Sequence, residues 1–201
     1  MRLPQQLYKS ILTILGCFIF FTISIAQNWE VNWLNKINPD NPNSNFQIGL
    51  SNSVYPLAIA TPVGLFATGI ISKNKKLQQQ SFKLITSLAI NTIVTQGLKY
   101  TINRNRPFED YPTIIHPYNI ENDPSFPSGH TSTAFNLAAT MSIQYKKWYI
   151  VAPAFLWASS VGYSRLYLGE HYPTDVFAGA TIGIASAYLN EWLHKKLFVK
   201  K

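Results

Sequence analysis

Charged side chains are scarce in this sequence: Asp, Glu, Lys and Arg make up 13% of its 201 residues, against roughly 25% in a typical soluble domain. Cysteine is almost absent, because Cys17 is the single one, and one thiol cannot form a disulfide within the chain. Internal repeats and low-complexity tracts are also missing. The sequence therefore implies no covalent framework, and its length favours one domain.

The residues that are abundant are apolar and basic. Apolar residues make up 47% of the chain, and the formal net charge is +8, from 17 basic and 9 acidic side chains. Such an excess of positive charge is typical of proteins that bind nucleic acid and of proteins at an anionic membrane surface. The positions of the basic residues along the chain decide between these two classes.

The first 26 residues resemble a secretory signal peptide. Two basic residues precede an uncharged apolar run from Ser10 to Ala26, which ends in a small-x-small pattern. The alternative is an uncleaved first transmembrane helix, because 17 residues are near the lower limit for a span. We favour cleavage, and divide the chain into residues 1–26, a signal peptide or first span, and a membrane-embedded domain at 27–201.

Five further apolar stretches follow along the chain. They are Val54–Ser72, Leu84–Leu98, Thr131–Tyr145, Trp148–Tyr163 and Val176–Leu193. Each is too long for a typical strand, and Ala, Leu and Gly are frequent, so the sequence predicts helices. Several are shorter than the ~20 residues of a full membrane span, which leaves open a soluble protein with buried core helices.

The basic residues are sorted according to the connection in which they lie. The terminal segments and every second connection hold 12 basic residues and no acidic one; these segments are 1–9, 73–83, 146–147 and 194–201. The other connections hold 5 basic and 8 acidic residues; they are 27–53, 99–130 and 164–175. Basic residues mark the cytoplasmic side of membrane proteins, and nucleic-acid binding would not require this sorting. The pattern predicts an all-α polytopic membrane helix bundle with six spans, or five after signal cleavage, and a cytoplasmic C-terminus.

The connections predicted on the outer side contain an unusual set of polar residues. Lys99 and Arg106 follow one apolar stretch, where two cations suit an anion with several oxygen atoms. Ser128, Gly129 and His130 directly precede the next, where the free N–H groups of a helix N-terminus can bind an anion. Taken singly, the first pair also fits interfacial basic residues, and the second group also fits an ordinary helix cap.

Arg165, His171 and Asp175 form a third group. His171 and Asp175 are four residues apart, so they share one face if a helix begins there, and the carboxylate can then fix the imidazole tautomer. A metal site is the alternative for this pair. The nearby cations Lys99, Arg106 and Arg165 would oppose a metal ion, so we predict no metal and one anion-binding site built from all three groups.

Together, the three groups resemble the type-2 phosphatidic acid phosphatase and vanadium haloperoxidase superfamily. The family pattern is Lys, six residues, Arg-Pro; then Pro-Ser-Gly-His; then Ser-Arg, five residues, His, three residues, Asp. The matching positions are Lys99, Arg106, Pro107, Pro127, Ser128, Gly129, His130, Ser164, Arg165, His171 and Asp175. Eleven positions at fixed spacings are far more specific than one short motif.

The resemblance implies a phosphatase that needs no metal or other cofactor and acts on a phosphomonoester or a pyrophosphate. By this resemblance, His171 attacks phosphorus to form a phosphohistidine, Asp175 orients His171, and His130 protonates the leaving group and then activates water. The phosphoryl oxygens are held by Lys99, Arg106, Ser128, Gly129 and Arg165.

The family includes enzymes for phosphatidic acid, phosphatidylglycerol phosphate, undecaprenyl pyrophosphate and lipid A. We therefore expect a lipid-phosphate substrate, contact with membrane lipids and no nucleic-acid partner. The expected location is a bacterial inner membrane, with the active site on the periplasmic face.

Three alternative functions remain open from the sequence. They are a soluble secreted acid phosphatase of the same superfamily, a vanadate-dependent haloperoxidase, and a non-catalytic lipid-phosphate binder or transporter. The sorted lysines disfavour the first, and the apolar spans with short connections disfavour the second. The complete set of catalytic side chains disfavours the third, because binding alone does not need a nucleophile.

Overall fold

The structure, a computed structural model, describes residues 29–198. The predicted signal peptide or first span at 1–26 lies outside these residues. The described part is helical and contains no strand; its helices are α1 (residues 29–37), α2 (Asn45–Asn52), α3 (Val54–Ile71), α4 (Lys75–Ile102), α5 (Pro107–Asp110), α6 (Gly129–Tyr145), α7 (Trp148–Tyr167) and α8 (Pro173–Phe198).

The five apolar stretches after the N-terminal segment correspond to α3, α4, α6, α7 and α8, so the prediction of helices there is confirmed. Helix α4 is much longer than its apolar stretch because Asn74 starts it early, by accepting hydrogen bonds from the N–H groups of Lys76 and Leu77. The sequence did not predict α1, α2 or α5, which lie in segments interpreted as loops.

Helix α6 lies at the centre and packs against α8, α7 and α4. Gly179 and Gly183 of α8 face the backbone of α6, where an added Cβ would lie 2.6 Å from the Ser128 oxygen and 2.3 Å from the Ser132 oxygen. Only glycine permits so close an approach of two helices. This contact brings the first turn of α8 beside the first turn of α6.

The interior between α4 and α6 is joined by polar side chains. Asn136 Nδ2 donates to Ser87 Oγ at 3.0 Å, and the hydroxyls of Ser87 and Thr140 are 2.8 Å apart. One turn along, Asn91 Nδ2 donates to Ser132 Oγ at 3.3 Å. All five side chains are buried. Of their polar atoms only Asn91 Oδ1 lacks a partner, so the hydrogen bonds compensate most of the cost of removing these groups from solvent.

The outer surface of the helices is apolar. Large exposed side chains include Ile59, Ile71, Ile93, Leu156 and Phe177, each at least 66% exposed. So many large apolar side chains on the outer surface, beside a core that contains polar side chains as well as apolar ones, are unusual for a soluble domain. Within residues 29–198, α3 is the one helix long and apolar enough by itself to cross a membrane, so the six-span count stays a prediction.

Candidate active site

The residues singled out from the sequence meet at one end of the helix bundle. Lys99 lies in the last turn of α4, Arg165 in the last turn of α7, and Asp175 in the first turn of α8. The Ser128 N–H donates to the Asp175 carbonyl oxygen at 3.0 Å, which joins the starts of α6 and α8. Arg106 joins the same region, because its guanidinium donates to the Glu170 carbonyl oxygen at 2.9 Å.

Ser128 is the N-cap of α6, and its hydroxyl oxygen accepts a long hydrogen bond of 3.5 Å from the Thr131 N–H. Gly129 begins the helix, and its Cα faces the Tyr55 hydroxyl, from which an added Cβ would lie 3.7 Å. His130 follows, and its ring packs edge-on against Tyr55, with centroids 4.8 Å apart. This first turn has the free N–H groups of a helix N-terminus, and the binding of an anion by them stays a prediction.

Three cations line the site, and all are buried: Lys99 and Arg165 are 2% exposed and Arg106 is 1% exposed. The Asp123 carboxylate lies 2.8 Å from Lys99 Nζ and 2.5 Å from an Arg106 guanidinium nitrogen. The Glu121 carboxylate lies 2.6 Å from an Arg106 guanidinium nitrogen and 3.0 Å from an Arg165 guanidinium nitrogen, so it bridges the two arginines. Neither acid belongs to the family pattern that the sequence matches.

The carboxylates keep these buried cations charged, because unpaired charges in the interior are costly. Although partial burial acts to raise it, the hydrogen bond and charge of Lys99 and the charge of Arg106 lower the pKa of Asp123 to about 2. Arg165 also forms an ion pair with Glu170. A phosphoryl group bound by the three cations would take oxygen positions that carboxylates now occupy.

The α5–α6 loop that contains these acids is held at both ends. Asn38 exchanges two hydrogen bonds with the backbone of His116, accepting from its N–H at 2.8 Å and donating to its carbonyl oxygen at 2.9 Å. Near the other end, the Ser125 N–H donates to the Arg104 carbonyl oxygen at 2.8 Å. The carboxylates therefore lie on a short segment, residues 117–124, whose backbone also forms hydrogen bonds with Leu168, Arg106 and Lys99.

His171 is buried in the loop between α7 and α8, with 1% of its surface exposed. Burial and the charges of Arg106, Arg165 and Lys99 hold its pKa well below the usual value. The imidazole is therefore neutral at neutral pH. A neutral ring keeps the lone pair that a nucleophile needs.

The expected helical pairing of His171 with Asp175 needs correction. Helix α8 begins at Pro173, so His171 precedes the helix and the two residues do not share a helical face. Their closest atoms, His171 Nδ1 and Asp175 Oδ2, are 3.6 Å apart, which is longer than a hydrogen bond. Pro173 occupies the first position of α8, where its missing N–H is not needed.

Three residues that sequence reasoning did not single out surround Asp175. Arg104 and Ser125 bond its carboxylate at 2.7 Å and 2.5 Å. Glu30 of α1 accepts from Arg104 at 2.7 Å and from the Thr174 N–H at 3.0 Å. No sequence signal distinguished Glu30; Arg104 and Ser125 were close to motif residues but had no pattern of their own.

The arrangement offers cations, a helix N-terminus and a buried neutral imidazole in one place, which together suit binding of a phosphoryl group and attack on it. Within residues 29–198, no group of three or more His, Cys, Asp or Glu side chains is arranged to hold a metal ion.

Comparison with known proteins gives consistent matches. The sequence is 29% identical over 138 residues to an undecaprenyl-diphosphatase of Sulfolobus acidocaldarius, covering 67% of this chain and 65% of that protein. This chain covers 44% and 65% of the length of the two curated relatives that it matches first.

Two solved structures share the fold. The crystal structure of Aquifex aeolicus LpxE superposes with a TM-score of 0.66 at 27% identity, covering 82% of this chain and 95% of that one. A transmembrane PAP2-type phosphatidylglycerolphosphate phosphatase of Bacillus subtilis superposes with a TM-score of 0.63 at 22% identity, covering 93% and 98%.

The family model of the PAP2 superfamily matches residues 80–198, which is more than half of the chain. The matched region contains all the candidate site residues from Lys99 to Asp175. This chain belongs to the PAP2 superfamily.

Proposed function

We propose that this protein is a membrane phosphatase that hydrolyses a lipid phosphate or lipid pyrophosphate through a phosphohistidine intermediate. The observation that supports this most directly is the environment of His171. Its neutral, buried imidazole lies where three paired cations and the N-terminus of α6 converge. Such a site combines a nucleophile with groups that stabilise the charge of a transferring phosphoryl group.

In the proposed first step, the His171 nitrogen Nε2 attacks phosphorus while the bond from phosphorus to the leaving oxygen breaks. His130 gives its proton to that oxygen, so that an alcohol or a phosphate leaves. In the second step His130 takes a proton from water, whose oxygen attacks phosphorus as the P–N bond breaks. Inorganic phosphate and the original His171 result, and Asp175 stabilises the positive charge that develops on the ring.

The phosphoryl oxygens are held in this proposal by Lys99, Arg106 and Arg165, by the Ser128 hydroxyl and by the Gly129 N–H. Arginine presents several N–H donors in one plane, which suits the oxygens of a phosphoryl group. The N–H groups of the first turn of α6 add a partial positive charge. No metal or other cofactor enters the proposed steps.

A lipid substrate is supported by the surface next to the site. A groove of about 570 Å³ lies beside the first turn of α8, and its lining includes Thr174 and Val176, the two neighbours of Asp175. Its remaining walls are mainly apolar and include Trp33, Phe135 and Phe177. An apolar tail lying there would be adjacent to the phosphate site.

The names of the matched proteins support the same substrate class. They name an undecaprenyl-diphosphatase and a phosphatidylglycerolphosphate phosphatase. We propose that the substrate belongs to the group of phosphatidic acid, phosphatidylglycerol phosphate, undecaprenyl pyrophosphate and lipid A.

We further propose that the bundle spans a bacterial inner membrane, with the site on the periplasmic face and the C-terminus in the cytoplasm. Helices α3, α4, α6, α7 and α8 would supply five spans, and residues 10–26 a sixth unless they are cleaved. The apolar exterior of the bundle and the sorted lysines support this orientation.

The test is to purify the full chain in detergent and measure phosphate release from the four lipid phosphates and from p-nitrophenyl phosphate. His171→Ala should abolish turnover, because it removes the nucleophile. Lys75→Gln, which changes an exposed side chain at the far end of α4, is the control and should behave like wild type. Activity should persist in the presence of a chelator.

Other outcomes would contradict the proposal in distinct ways. Wild-type turnover by His171→Ala would exclude the phosphohistidine route. Equal rates on p-nitrophenyl phosphate and on lipids would contradict a lipid-selective site. Vanadate-dependent halide oxidation without phosphate release would indicate a haloperoxidase.

A further inference from the structure

The carboxylate of Asp175 is fully enclosed and each of its oxygens has a partner. Oδ1 accepts a hydrogen bond from Arg104 at 2.7 Å. Oδ2 accepts from the Ser125 hydroxyl at 2.5 Å and from the Tyr172 N–H at 2.9 Å. The carboxylate is therefore held in one orientation by groups that all donate to it. Its complete burial opposes the ionised form, and these donors act in favour of that form.

The Ser125 hydroxyl lies between Asp175 and the nucleophile. Its oxygen is 3.4 Å from His171 Nδ1, closer than either oxygen that Asp175 presents to the ring. A hydroxyl has one hydrogen, and here it is directed to Asp175. Its oxygen can therefore only accept from Nδ1, which requires the ring proton to be on Nδ1 and leaves Nε2 free to attack.

Arg104 contacts both Asp175 and Ser125. Its side chain bonds Asp175, and its backbone carbonyl oxygen accepts from the Ser125 N–H at 2.8 Å. The guanidinium is fixed from behind by Glu30 at 2.7 Å and lies 3.9 Å above the ring centroid of Tyr172. Although burial acts to lower it, the charges of Asp175 and Glu30 raise the pKa of Arg104, so it remains a cation.

We propose that Arg104 and Ser125 are positioning residues for the nucleophile. Arg104 holds the carboxylate of Asp175 ionised and in place. Ser125 links this carboxylate to His171, because its oxygen accepts the Nδ1–H hydrogen bond and so keeps the ring proton on Nδ1. Neither residue contacts the substrate. The inference rests on the proposed function, because it assigns a role in phosphoryl transfer by His171.

Ser125→Ala tests the relay. It removes the acceptor for Nδ1–H and one donor to Asp175 but leaves the three phosphate-binding cations unchanged. We expect kcat to fall about 10- to 100-fold, the effect of misplacing a reacting group, with KM little changed. Selective ¹⁵N-histidine NMR, with His171 assigned from the His171→Ala spectrum, should show the Nδ1–H tautomer in wild type and a tautomer mixture in the variant.

Arg104→Gln and Arg104→Lys test whether the positive charge of Arg104 keeps Asp175 ionised. The charged or titratable groups that face Asp175 are Arg104 from the α4–α5 connection and His171 from the α7–α8 loop, with Glu30 of α1 behind Arg104. Losing the cation makes the ionised carboxylate less stable, so the acid limb of the kcat profile should move to higher pH by roughly one unit or more. In Arg104→Lys, which keeps the positive charge, the acid limb of the kcat profile should lie closer to that of the wild type.

Two controls separate this role from a structural one. Ser72→Ala removes an exposed hydroxyl that bonds only the Thr68 carbonyl oxygen, and Lys75→Gln removes an exposed charge; both should match wild type. Thermal unfolding in detergent shows whether each variant is folded. Because Arg104 and Ser125 act through the same carboxylate, the losses in Arg104→Gln/Ser125→Ala should be less than additive.

The proposal is overturned if His171→Ala is inactive while Ser125→Ala and Arg104→Gln keep wild-type kcat, tautomer and acid limb. It is equally overturned if the variants lose activity only in proportion to lost folded protein, with the acid limb of the remaining activity unmoved. Wild-type turnover by His171→Ala would instead overturn the proposed function.

Discussion

At the scale of single residues, the site depends on charges that compensate one another. Lys99 and Arg106 are almost completely buried, and Asp123 is the acid that contacts both. An acid whose pKa is lowered by folding binds its proton less tightly in the folded state than in the unfolded chain. The two ion pairs of Asp123 therefore link the stability of the protein to pH.

Asp123→Asn is predicted to lower thermal stability in a pH-dependent way. The pKa of Asp123 is about 2 in the fold, against an ordinary value of 3.8. Its contribution is thus fully present above about pH 4 and is lost as the pH falls through 2. The difference in Tm between wild type and Asp123→Asn, measured in detergent, should be largest near pH 7 and shrink below pH 4. A difference independent of pH would contradict the ion-pair explanation.

The residues that could be predicted from the sequence are those whose spacing has a chemical meaning. Lys99, His130 and His171 belong to such patterns, and the structure brings them to one end of the bundle. Arg104 and Ser125 could not be found this way, because their importance comes from contacts with Asp175 across 71 and 50 positions of sequence. Nothing local to either residue indicates these contacts.

At the scale of secondary-structure elements, the geometry of the site depends on how closely α6 and α8 approach. Helix α6 supplies His130 and α8 supplies Asp175, and the two glycines of α8 set the distance between the helices. A side chain on that face of α8 would push the helices apart. The separation between the two functional groups would then increase with the separation of the helices.

Gly183→Ala is therefore predicted to reduce both stability and turnover. Its Cβ would lie 2.3 Å from the Ser132 carbonyl oxygen, and such overpacking costs about 1–3 kcal/mol. Gly97→Ala is the matched control, because no atom lies within 4 Å of a Cβ added there. Tm and kcat measured together on both variants test this, and equal effects at the two positions would contradict it.

The long helices were predictable because each contains an uninterrupted apolar stretch, as α3 and α7 illustrate. The short helices were not, because α2 has eight residues and α5 has four, too few for a recognisable apolar period. Helix α1 was not predicted because it is followed directly by the Asn- and Pro-rich residues 38–45, which are typical of a loop. Tertiary contacts such as those of Glu30 stabilise it instead.

At the scale of the whole molecule, the two ends of the bundle differ in chemistry. One end contains the ion-paired site. The opposite end has an open cavity of about 700 Å³ whose lining includes Lys76, Lys83, Lys146 and Lys195, with Glu191 as its one acid. This asymmetry is the three-dimensional form of the sorting of lysines seen along the sequence, and it underlies the proposed orientation in the membrane.

The orientation predicts which surface positions a membrane-impermeant maleimide can reach. In a Cys17→Ser background, a cysteine replacing the exposed Asn41 should react in intact cells, because the α1–α2 connection is assigned to the outer side. A cysteine replacing the exposed Lys147 should react only after lysis. The reverse pattern would invert the proposed topology, and labelling of both in intact cells would contradict a sealed membrane arrangement.

The anchoring of residues 117–124 at His116 and Ser125 has a kinetic consequence. A carboxylate held on so short a segment acts as an intramolecular competitor of any anion that binds to the same cations. In the proposed reaction, free phosphate would have to compete with Glu121 and Asp123 for the cations, whereas a lipid substrate would add the contacts of its tail. In the proposed reaction the product phosphate has no tail contacts after hydrolysis, so the neighbouring carboxylates of Glu121 and Asp123 would favour its release from the cations.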